Sequence, residues 1–283
     1  MSISASQQLV AATQLLEGVS DTPRLDAELL MAHALGLSRN QLLLRARDLT
    51  TPDEFDTLLQ RRLAHEPVAY IRGYQEFWDL TLGVTPDVLI PRGDSETLIE
   101  AAQRHFAGSH PPYRILDLGT GSGALLLAAL SVFKEAQGVA IDASAAALAV
   151  AQGNAERLGF AGSTAFFHRS WRGAGWADDL GQFDLILCNP PYVETDAELA
   201  TQVRAYEPAS ALFAGADGLD DYKLLIPQIA ALLKPSGVAI FEIGLGQDEA
   251  ITRLATQQGF AVSPHRDLAD IIRALSLSKP DGG

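Results

Sequence analysis

The sequence predicts an α/β protein with an open, mostly parallel sheet wrapped by helices on both faces, preceded by a small helical region. Three observations lead to this prediction. Beyond about residue 110, short apolar runs alternate with segments at helical spacing, as in a parallel sheet with crossover helices. Residues 1–73 show helical spacing alone. Apolar residues make up 47% and charged residues 20% of the 283, which is typical of a globular protein.

Three helices are predicted in residues 1–73, the first domain. One begins after Thr22-Pro23 and ends at Gly36, and the next is capped by Ser38. The third follows a capping box, Thr51-Pro52-Asp53-Glu54, with proline at the first helical position. The apolar residues at helical spacing are Leu25, Leu29 and Ala32 in the first helix and Phe55, Leu58, Leu59 and Leu63 in the third. A helical bundle and a partner-recognition module both fit this pattern.

Residues 74–90 form the second predicted segment, a β-hairpin that links two domains. Apolar residues alternate with polar ones on both sides of a short polar break, from Phe77 to Leu80 and from Leu82 to Val84. Asp94 or Ser95 is then expected to cap a helix at the start of the last domain, residues 91–283.

Strands and helices alternate in this last domain. Strands are predicted at 114–118, 138–141, 164–167, 183–188 and 238–243, with extended pieces at Phe260 and 271–275. Helices are predicted at 124–133, 145–158, 219–233 and 247–258. Lys234-Pro235-Ser236-Gly237 is expected to end the third of these helices, and residues 276–283 are expected to be a frayed tail. Sheets of this kind bind ligands beyond the carboxyl ends of their strands.

Composition and charge exclude several classes of function. Lys and Arg number 21 against 35 Asp and Glu, which gives a net charge of −14 and argues against stable nucleic-acid binding. Residues 1–73 carry 7 basic and 9 acidic residues, so their net charge is −2 and the rest of the chain carries −12. The single cysteine, Cys188, suits a reducing compartment. The sequence shows no secretory signal, no apolar stretch of about 18 residues and no metal-ligand spacing of its histidines, so we expect a cytoplasmic protein without a membrane span or a metal.

A glycine-rich loop follows the first strand of the sheet. The sequence Asp117-Leu118-Gly119-Thr120-Gly121-Ser122-Gly123 has glycines at i, i+2 and i+4, unlike the G-x-G-x-x-G of dinucleotide enzymes. Glycine allows a sharp turn and close approach of a ligand to the backbone. Asp117 can accept from a cationic amino group, and Asp142, at the end of the second strand, from both hydroxyls of a ribose. The alternative is a tight strand-to-helix turn without a ligand.

A second candidate site follows the fourth strand, at Asn189-Pro190-Pro191-Tyr192. The prolines fix their own φ and hold the preceding residue extended. The side-chain oxygen of Asn189 and the backbone oxygen of Pro190 then match the two N–H donors of a planar NH2 group, and Tyr192 can pack on its flat face. Holding both hydrogens favours charge developing on a nitrogen whose lone pair is delocalised. The alternative is a loop stiffened by proline, and Cys188 is expected to face the core.

These motifs resemble known families. The acidic residue and glycine loop resemble the class I S-adenosylmethionine-dependent methyltransferases, and Asn-Pro-Pro-Tyr resembles those that act on planar nitrogens in adenine, guanine or glutamine. Further segments over nearly the whole chain look like the release-factor glutamine methyltransferases, the PrmC/HemK family. These segments are Pro67–Gly73, Glu76–Trp78, Leu89–Glu96, Asn154–Gly159, Tyr206–Pro208 and Arg266–Leu268.

The resemblance implies a Rossmann-like methyltransferase sheet with a small N-terminal helical domain and a connecting β-hairpin. It implies transfer of a methyl group from S-adenosyl-L-methionine to the side-chain amide of the glutamine in the Gly-Gly-Gln motif of class I peptide release factors. Gly119–Gly123 would line the methionine part, Asp142 would bind the ribose, and Trp171 would stack on adenine or else anchor the surface. Asn189 and Pro190 would hold the glutamine amide, Pro191 would shape the loop, and Tyr192 would pack on the amide. The N-terminal helices and hairpin would help dock the release factor, and we expect a monomer.

The sequence departs from the family pattern at three positions, and other functions fit parts of it. Gly93 and Ser95 replace the usual proline and threonine, and Ser170 replaces an aspartate, which puts a carboxylate contact to adenine in doubt. Ser95 retains a hydroxyl that can cap the helix. A ribosomal-protein glutamine methyltransferase is the first alternative, followed by a nucleic-acid amino-methyltransferase and a non-enzymatic nucleoside-binding fold. Glu242 is expected to be a buried, satisfied carboxylate rather than a residue that supports the site, and Arg92 an ion-pair partner rather than a substrate contact.

Overall fold

The computed structural model describes residues 4–280. The chain divides into two compact units, one made of residues 4–74 and Leu199–Glu207, the other of Gln75–Glu198 and residues 208–280. The sequence did not predict that Leu199–Glu207 would group with the N-terminal helices. The predicted domain boundaries at residues 73 and 90 stay predictions.

The described residues form eleven α-helices and nine strands. The helices are α1 (Ala5–Leu16), α2 (Pro23–Ala34), α3 (Arg39–Arg45), α4 (Glu54–Leu63), α5 (Val68–Arg72), α6 (Glu96–Phe106), α7 (Ala124–Val132), α8 (Ala145–Arg157), α9 (Thr201–Tyr206), α10 (Asp220–Leu232) and α11 (Asp248–Gln257). The strands are β1 (Tyr74–Phe77), β2 (Leu80–Gly83), β3 (Arg114–Leu118), β4 (Gln137–Asp142), β5 (Thr164–His168), β6 (Phe183–Cys188), β7 (Leu233–Glu242), β8 (Ala261–Arg266) and β9 (Ile272–Ser278).

Helix α2 lies in the core of the helical unit, but its buried face only partly matches the prediction. Ala32 is buried as predicted, whereas Leu25 is 38% exposed, and the other buried apolar residues are Ala27, Leu30 and Met31. The face also carries Asp26, whose carboxylate lies 2.7 Å from the buried guanidinium of Arg62 on α4. A polar residue that is buried because it has an ion-pair partner breaks the apolar periodicity on which the prediction relied.

The helix caps follow the prediction in one case and contradict it in another. Ser38 caps α3 in a complete capping box with Gln41, as expected. The predicted box at Thr51 is wrong, because α4 begins only at Glu54 and its N-cap, Asp53, makes no side-chain cap bond. The preceding residue, Thr50, pairs as an isolated β-bridge with Ser4. The Thr51 hydroxyl has no hydrogen-bond partner among the described residues, so it does not accept from the Glu54 backbone N–H as the box requires. Helices α1 and α5 were not individually predicted.

The hairpin is shorter than the predicted segment, since β1 and β2 span residues 74–83 and the chain to residue 90 adds no strand. Trp78 at the turn has a positive φ of 54°. Its backbone N–H donates to the carboxylate of Glu96 at 2.7 Å, which ties the turn to the first turn of α6. The hairpin is thus attached to the unit that contains the large sheet.

The predicted α/β class is confirmed by a seven-stranded sheet of order β5-β4-β3-β6-β7-β9-β8. Pairings from β5 through β7 are parallel, and β9 is antiparallel to both β7 and β8. Successive residues along β3, β6 and β7 belong in turn to two separate clusters of buried side chains, one on each face of the sheet. Helices therefore cover both faces of the sheet, as the alternation of strands and helices predicted.

Two predictions near the end of the chain need correction, the first only in part. Helix α10 ends at Leu232, just before Lys234–Gly237, as predicted, but these four residues lie within β7, where the pairing with β6 shifts register. A side chain at Gly237 would lie 2.8 Å from the backbone oxygen of Phe183, so glycine fits this bulge. The predicted frayed tail is ordered as far as it is described: Ser276–Ser278 belong to β9, and Lys279 donates to the Leu233 backbone oxygen at 2.7 Å. Residues 281–283 of that tail lie outside the described residues.

Candidate active site

The glycine loop is a tight turn between β3 and α7. Gly119, Gly121 and Gly123 all have positive φ, between 54° and 85°, so this backbone path favours glycine at each position. The backbone N–H groups of Gly119 and Thr120 donate to the Ile141 oxygen at 2.9 and 3.0 Å. The loop is therefore held against the end of the neighbouring strand β4.

Asp142 at the end of β4 is bonded to this loop. Its two carboxylate oxygens accept from the backbone N–H groups of Gly121, at 2.9 Å, and Ser144, at 2.8 Å. A carboxylate oxygen has more than one acceptor direction, so Asp142 can still accept from ribose hydroxyls. The residue predicted to bind a ribose thus also orders the glycine loop.

Asp117 is buried in the end of β3. Its Oδ2 accepts from the Thr120 hydroxyl at 2.6 Å, and its Oδ1 has no hydrogen-bond partner among the described residues. Burial raises its pKa to about 7, opposed by the Thr120 bond and assisted by the charge of Asp142. A nearby cation would stabilise the charged form, which fits the predicted contact with an amino group.

Trp171 lies across the loop. Its six-membered ring lies about 3.0 Å from the point where a side chain on Gly119 would begin, so Gly119 leaves room for the indole. Its indole N–H donates to Asp221 on α10 at 2.7 Å, and Arg172 donates to the same oxygen at 2.7 Å. Asp221 is 1% exposed, and its second oxygen has no partner among the described residues. The indole plane is thus fixed at the edge of the site.

The Asn-Pro-Pro-Tyr segment begins beside the glycine loop. Strands β3 and β6 are in register at Leu118 and Cys188, so Gly119 and Asn189 leave the sheet side by side. Asn189 lies with its Nδ2 3.5 Å from the Ser95 hydroxyl. Cys188 is fully buried in the core, as expected, and burial raises the pKa of its thiol well above the ordinary value. A thiolate nucleophile is therefore disfavoured at this position.

Tyr192 turns its hydroxyl to a buried carboxyl. The hydroxyl donates to Glu242 Oε1 at 3.3 Å, and Gln247 donates to the Tyr192 backbone oxygen at 3.0 Å. Glu242 at the end of β7 is 2% exposed, and burial raises its pKa to about 7. Its Oε2 has no hydrogen-bond partner among the described residues, so the expectation of a fully satisfied carboxylate is wrong.

A cavity of about 330 Å³ opens at this edge of the sheet, within the range of small-molecule sites. The predicted site residues that line it are Gly119, Thr120, Gly121, Ser122, Asp142, Trp171, Asn189 and Pro191. Four others, Asp117, Gly123, Pro190 and Tyr192, are outside the lining, and Asp117 reaches it through its bond with Thr120. Arg92 and Ser170 also line the cavity. Among the described residues, no group of His, Cys, Asp and Glu side chains fits a metal ion.

Asn154 connects the cavity loop to the hairpin. Its side-chain N–H groups donate to the backbone oxygens of Ser122 and Gly83, at 2.8 and 3.0 Å, and its side-chain oxygen accepts from Gly83 N at 2.7 Å. Arg157 on the same helix donates to the Thr81 oxygen at 2.8 Å. Asn154 and Arg157 lie in a segment that resembles the family, and both hold the hairpin beside the cavity.

Comparisons with known proteins agree with this geometry. Residues 7–73 match the PrmC N-terminal domain, and residues 109–264 match a methyltransferase domain. A release factor glutamine methyltransferase of Bradyrhizobium diazoefficiens is 42% identical over 98% of this chain and 95% of its own length. One of Bordetella pertussis is 42% identical over 89% of this chain and 93% of its own. The chain belongs to the release factor glutamine methyltransferases.

Solved structures support the fold of this release factor glutamine methyltransferase. A methyltransferase from Pyrococcus furiosus has a TM-score of 0.50 at 16% identity, covering 78% of this chain and 98% of its own. The catalytic domain of hMettl16 has a TM-score of 0.58 at 13% identity, covering 84% of this chain and 85% of its own. At such identities the likeness concerns the fold alone.

The donor set fits S-adenosylmethionine, the cofactor expected for a release factor glutamine methyltransferase. The buried unpaired oxygen of Asp117 suits a cationic amino group, and Asp142 has acceptor capacity left for a ribose. The Trp171 ring offers a flat apolar surface for a base. Proposed contacts of these residues are therefore chemically consistent with one ligand.

Sequence reasoning missed two residues of this site. Ser95 was expected to cap α6, but it makes no side-chain cap bond and its hydroxyl faces Asn189 instead. Asp221 was not singled out, although it holds Trp171. An acidic residue in the first turn of a helix is ordinarily explained by the helix dipole, so Asp221 gave no separate signal.

Proposed function

We propose that the chain transfers a methyl group from S-adenosylmethionine to the N5 side-chain amide of the glutamine in the Gly-Gly-Gln motif of class I peptide release factors. The observation that carries the proposal is the position of Asn189 in the lining of the cavity, beside the glycine loop. The relatives named as release factor glutamine methyltransferases, at about 40% identity over most of the chain, support the same substrate.

The chemistry requires an amide nitrogen to act as a nucleophile. S-adenosylmethionine supplies an electrophilic methyl group on a sulfonium. Asn189 Oδ1 and the Pro190 backbone oxygen accept from the two N–H groups of the glutamine amide and so orient its nitrogen. Positive charge that develops on this nitrogen is stabilised by the same two oxygens. The N–C bond forms as the bond between methyl and sulfur breaks, which leaves S-adenosylhomocysteine as the neutral thioether product. The alkylated amide is strongly acidic and then loses its proton to solvent water.

The supporting residues keep the site in this geometry. Pro190 and Pro191 restrict the backbone after Asn189. Tyr192 packs beside the amide, with its hydroxyl held by Glu242. Asp142, Asp117 and Trp171 bind the cofactor on the other side of the cavity. Ordering of the nucleophile, rather than its deprotonation, is the main contribution of this chain.

We also propose that the protein acts in the cytoplasm as a monomer, without stable binding to nucleic acid. Among the described residues, no helix is both long and apolar enough to cross a membrane. The lone cysteine is consistent with a reducing compartment. Light scattering of the purified protein measures the oligomeric state.

Methyl transfer to purified release factor tests the proposed function. Tritiated S-adenosylmethionine is incubated with the enzyme and one of three substrates: intact release factor, release factor in which the motif glutamine is replaced by alanine, or ribosomal protein. We expect label in the intact release factor and none in the alanine variant. Equal labelling of both would refute the assigned glutamine, and labelling of ribosomal protein alone would redirect the proposal to another glutamine substrate.

A further inference from the structure

Four polar residues meet at one end of the sheet, around the Asn-Pro-Pro-Tyr segment. Strands β6 and β7 are parallel and in register at Cys188 and Phe241, so the next residues, Asn189 and Glu242, leave the two strands as neighbours. Ser95, just before α6, is 4% exposed and lies against both. Tyr192 completes the group through its hydroxyl.

Hydrogen bonds in this group run toward one carboxyl. Asn189 Nδ2 lies 3.5 Å from the Ser95 oxygen, and the Ser95 hydroxyl in turn interacts with the carboxyl of Glu242. Tyr192 donates to Glu242 Oε1 at 3.3 Å. Above its pKa of about 7 the Glu242 carboxyl is ionised and only accepts hydrogen bonds, so in that form both hydroxyls donate to it. The Ser95 oxygen is then left as an acceptor, and the Asn189 amide must turn its N–H side toward Ser95.

The direction of these hydrogen bonds determines which side-chain atom of Asn189 faces the cavity. With Nδ2 directed at Ser95, Oδ1 remains to accept from a substrate N–H. An asparagine without such a constraint can rotate its amide by half a turn and present donors to a group that also donates. The same carboxyl therefore acts on both ends of the tetrapeptide, Asn189 and Tyr192.

We propose that Ser95 and Glu242 are positioning residues that fix the Asn189 amide with its oxygen toward the substrate and the Tyr192 ring beside it. The inference rests on the proposed function, since it assigns how that site selects an NH2 group. Two observations set these residues apart from ordinary packing. Ser95 occupies the N-cap position of α6 without making a cap bond. The Glu242 backbone is separately fixed by the Tyr222 hydroxyl, which donates to its oxygen at 2.7 Å, so the side chain is not needed to hold the strand.

The test compares Ser95→Ala, Ser95→Thr and Glu242→Gln with wild type. Turnover on release factor is measured together with the affinity for S-adenosylhomocysteine by isothermal titration and the melting temperature. Ser131→Ala is the matched control, because that hydroxyl bonds only to the Ala128 oxygen within its own helix. We expect Ser95→Ala to lower kcat at least tenfold with little change in cofactor affinity, and Ser95→Thr, which restores the hydroxyl, to recover most of that loss.

Glu242→Gln keeps the size of the side chain but adds donors, so the direction of the bonds is no longer fixed. We expect a fall in kcat similar to that of Ser95→Ala. Wild-type turnover in either Ser95→Ala or Glu242→Gln would overturn the inference, as would a Ser95→Thr variant as slow as Ser95→Ala. Equal losses of melting temperature, cofactor affinity and turnover would indicate a merely structural role and overturn it too. If wild type itself methylates no glutamine, the proposed function fails and the inference falls with it.

Discussion

At the scale of single residues, the role proposed for Asn189 concerns the orientation of the substrate and not the binding of the cofactor. Its replacement by alanine removes the proposed acceptor for the substrate amide but keeps Asp142, Trp171 and the glycine loop. We expect Asn189→Ala to lower kcat about 100-fold and to keep the affinity for S-adenosylhomocysteine, measured by isothermal titration. Asn40→Ala in α3, at an exposed position, is the control. Undiminished turnover of Asn189→Ala would refute the assigned role.

Replacement of Asp142 should weaken cofactor binding more than turnover, the opposite of what we expect for Asn189→Ala. Asp142→Ala removes the proposed acceptor for the ribose and also the bonds to the backbone of Gly121 and Ser144. Since the glycine loop loses an anchor, we expect cofactor affinity to fall by about 10- to 100-fold, with turnover at saturating cofactor less affected. Titration calorimetry and initial rates over a range of cofactor concentrations distinguish the two effects. Unchanged affinity would contradict the contact.

Asp117 predicts a pH dependence of stability. Its pKa is raised from 3.8 to about 7, so between these values the folded protein keeps a proton that the unfolded chain has released. The stability from this proton is complete below about pH 3.8 and is lost as the pH rises to about 7. The side chain of Asp117→Asn stays neutral at every pH. The free energy of unfolding of this variant, relative to that of wild type, should therefore increase by roughly 2 kcal/mol from pH 5 to pH 8.

Urea unfolding followed by tryptophan fluorescence measures this difference in the relevant unit, because Trp78, Trp171 and Trp176 all lie within Gln75–Glu198. Glu242 has a raised pKa as well, but it is present in both proteins and cancels in the comparison. An advantage of Asp117→Asn that does not change with pH would show that the carboxyl is charged throughout.

The sequence predicted eight of the residues that line the cavity, because motifs and strand ends coincide there. Asp142 and Asn189 each follow a recognisable apolar strand, and parallel strands bring such positions together. It did not predict Ser95 or Glu242 as partners, because their contacts join residues 50 to 147 positions apart with no local pattern. Spacing along one element carries no information about which hydroxyl meets which carboxyl across the fold.

At the scale of elements, β9 is an inner strand of the sheet, between β7 and β8. Truncation after Asp270 removes this strand and leaves the hydrogen-bonding edges of both neighbours unpaired. We expect that protein to be insoluble or to show no cofactor binding. Truncation after Pro280, which keeps all of β9, is the control and should behave as wild type. A soluble, cofactor-binding protein ending at Asp270 would contradict the assigned pairing.

Apolar patterns in the sequence predicted the bounds of helices and strands well where the pattern is clear. These predictions failed where contacts between distant residues determine the structure. The strands Arg114–Leu118 and Phe183–Cys188 were predicted to the residue, because fully buried strands are continuous apolar runs. Helix α4 begins at Glu54 with Asp53 as its N-cap, and the hydroxyl of the predicted cap, Thr51, has no hydrogen-bond partner among the described residues. Strand β8 was predicted only as an extended piece at Phe260, because its side chains are largely exposed and lack the apolar alternation of a buried strand.

At the scale of the whole molecule, the net charge of −14 opposes contact with a phosphate backbone. We expect no complex with duplex DNA or structured RNA at micromolar protein and about 0.15 M salt, measured by fluorescence anisotropy. Methyl transfer to release factor under the same conditions is the positive control. Salt-sensitive binding at micromolar protein would favour the nucleic-acid amino-methyltransferase alternative.

The α/β class followed from the sequence because alternating strands and helices admit few arrangements. The grouping of Leu199–Glu207 with the N-terminal helices did not follow from the sequence. A short helix between two loops has no sequence pattern that indicates which unit it packs against. Its Tyr206 hydroxyl donates to the Ala64 oxygen at 2.8 Å, a contact across 142 positions. Chain order alone cannot predict such a contact.

The strand order β7-β9-β8 also constrains how this protein is made. Ribosomes deliver the chain from its N-terminus, so β8 emerges before the strand that will separate it from β7. During that interval β8 has no native neighbour, and β7 presents an open edge to whatever strand is nearby. Nascent chains on one message are therefore at risk of pairing with each other until β9 arrives.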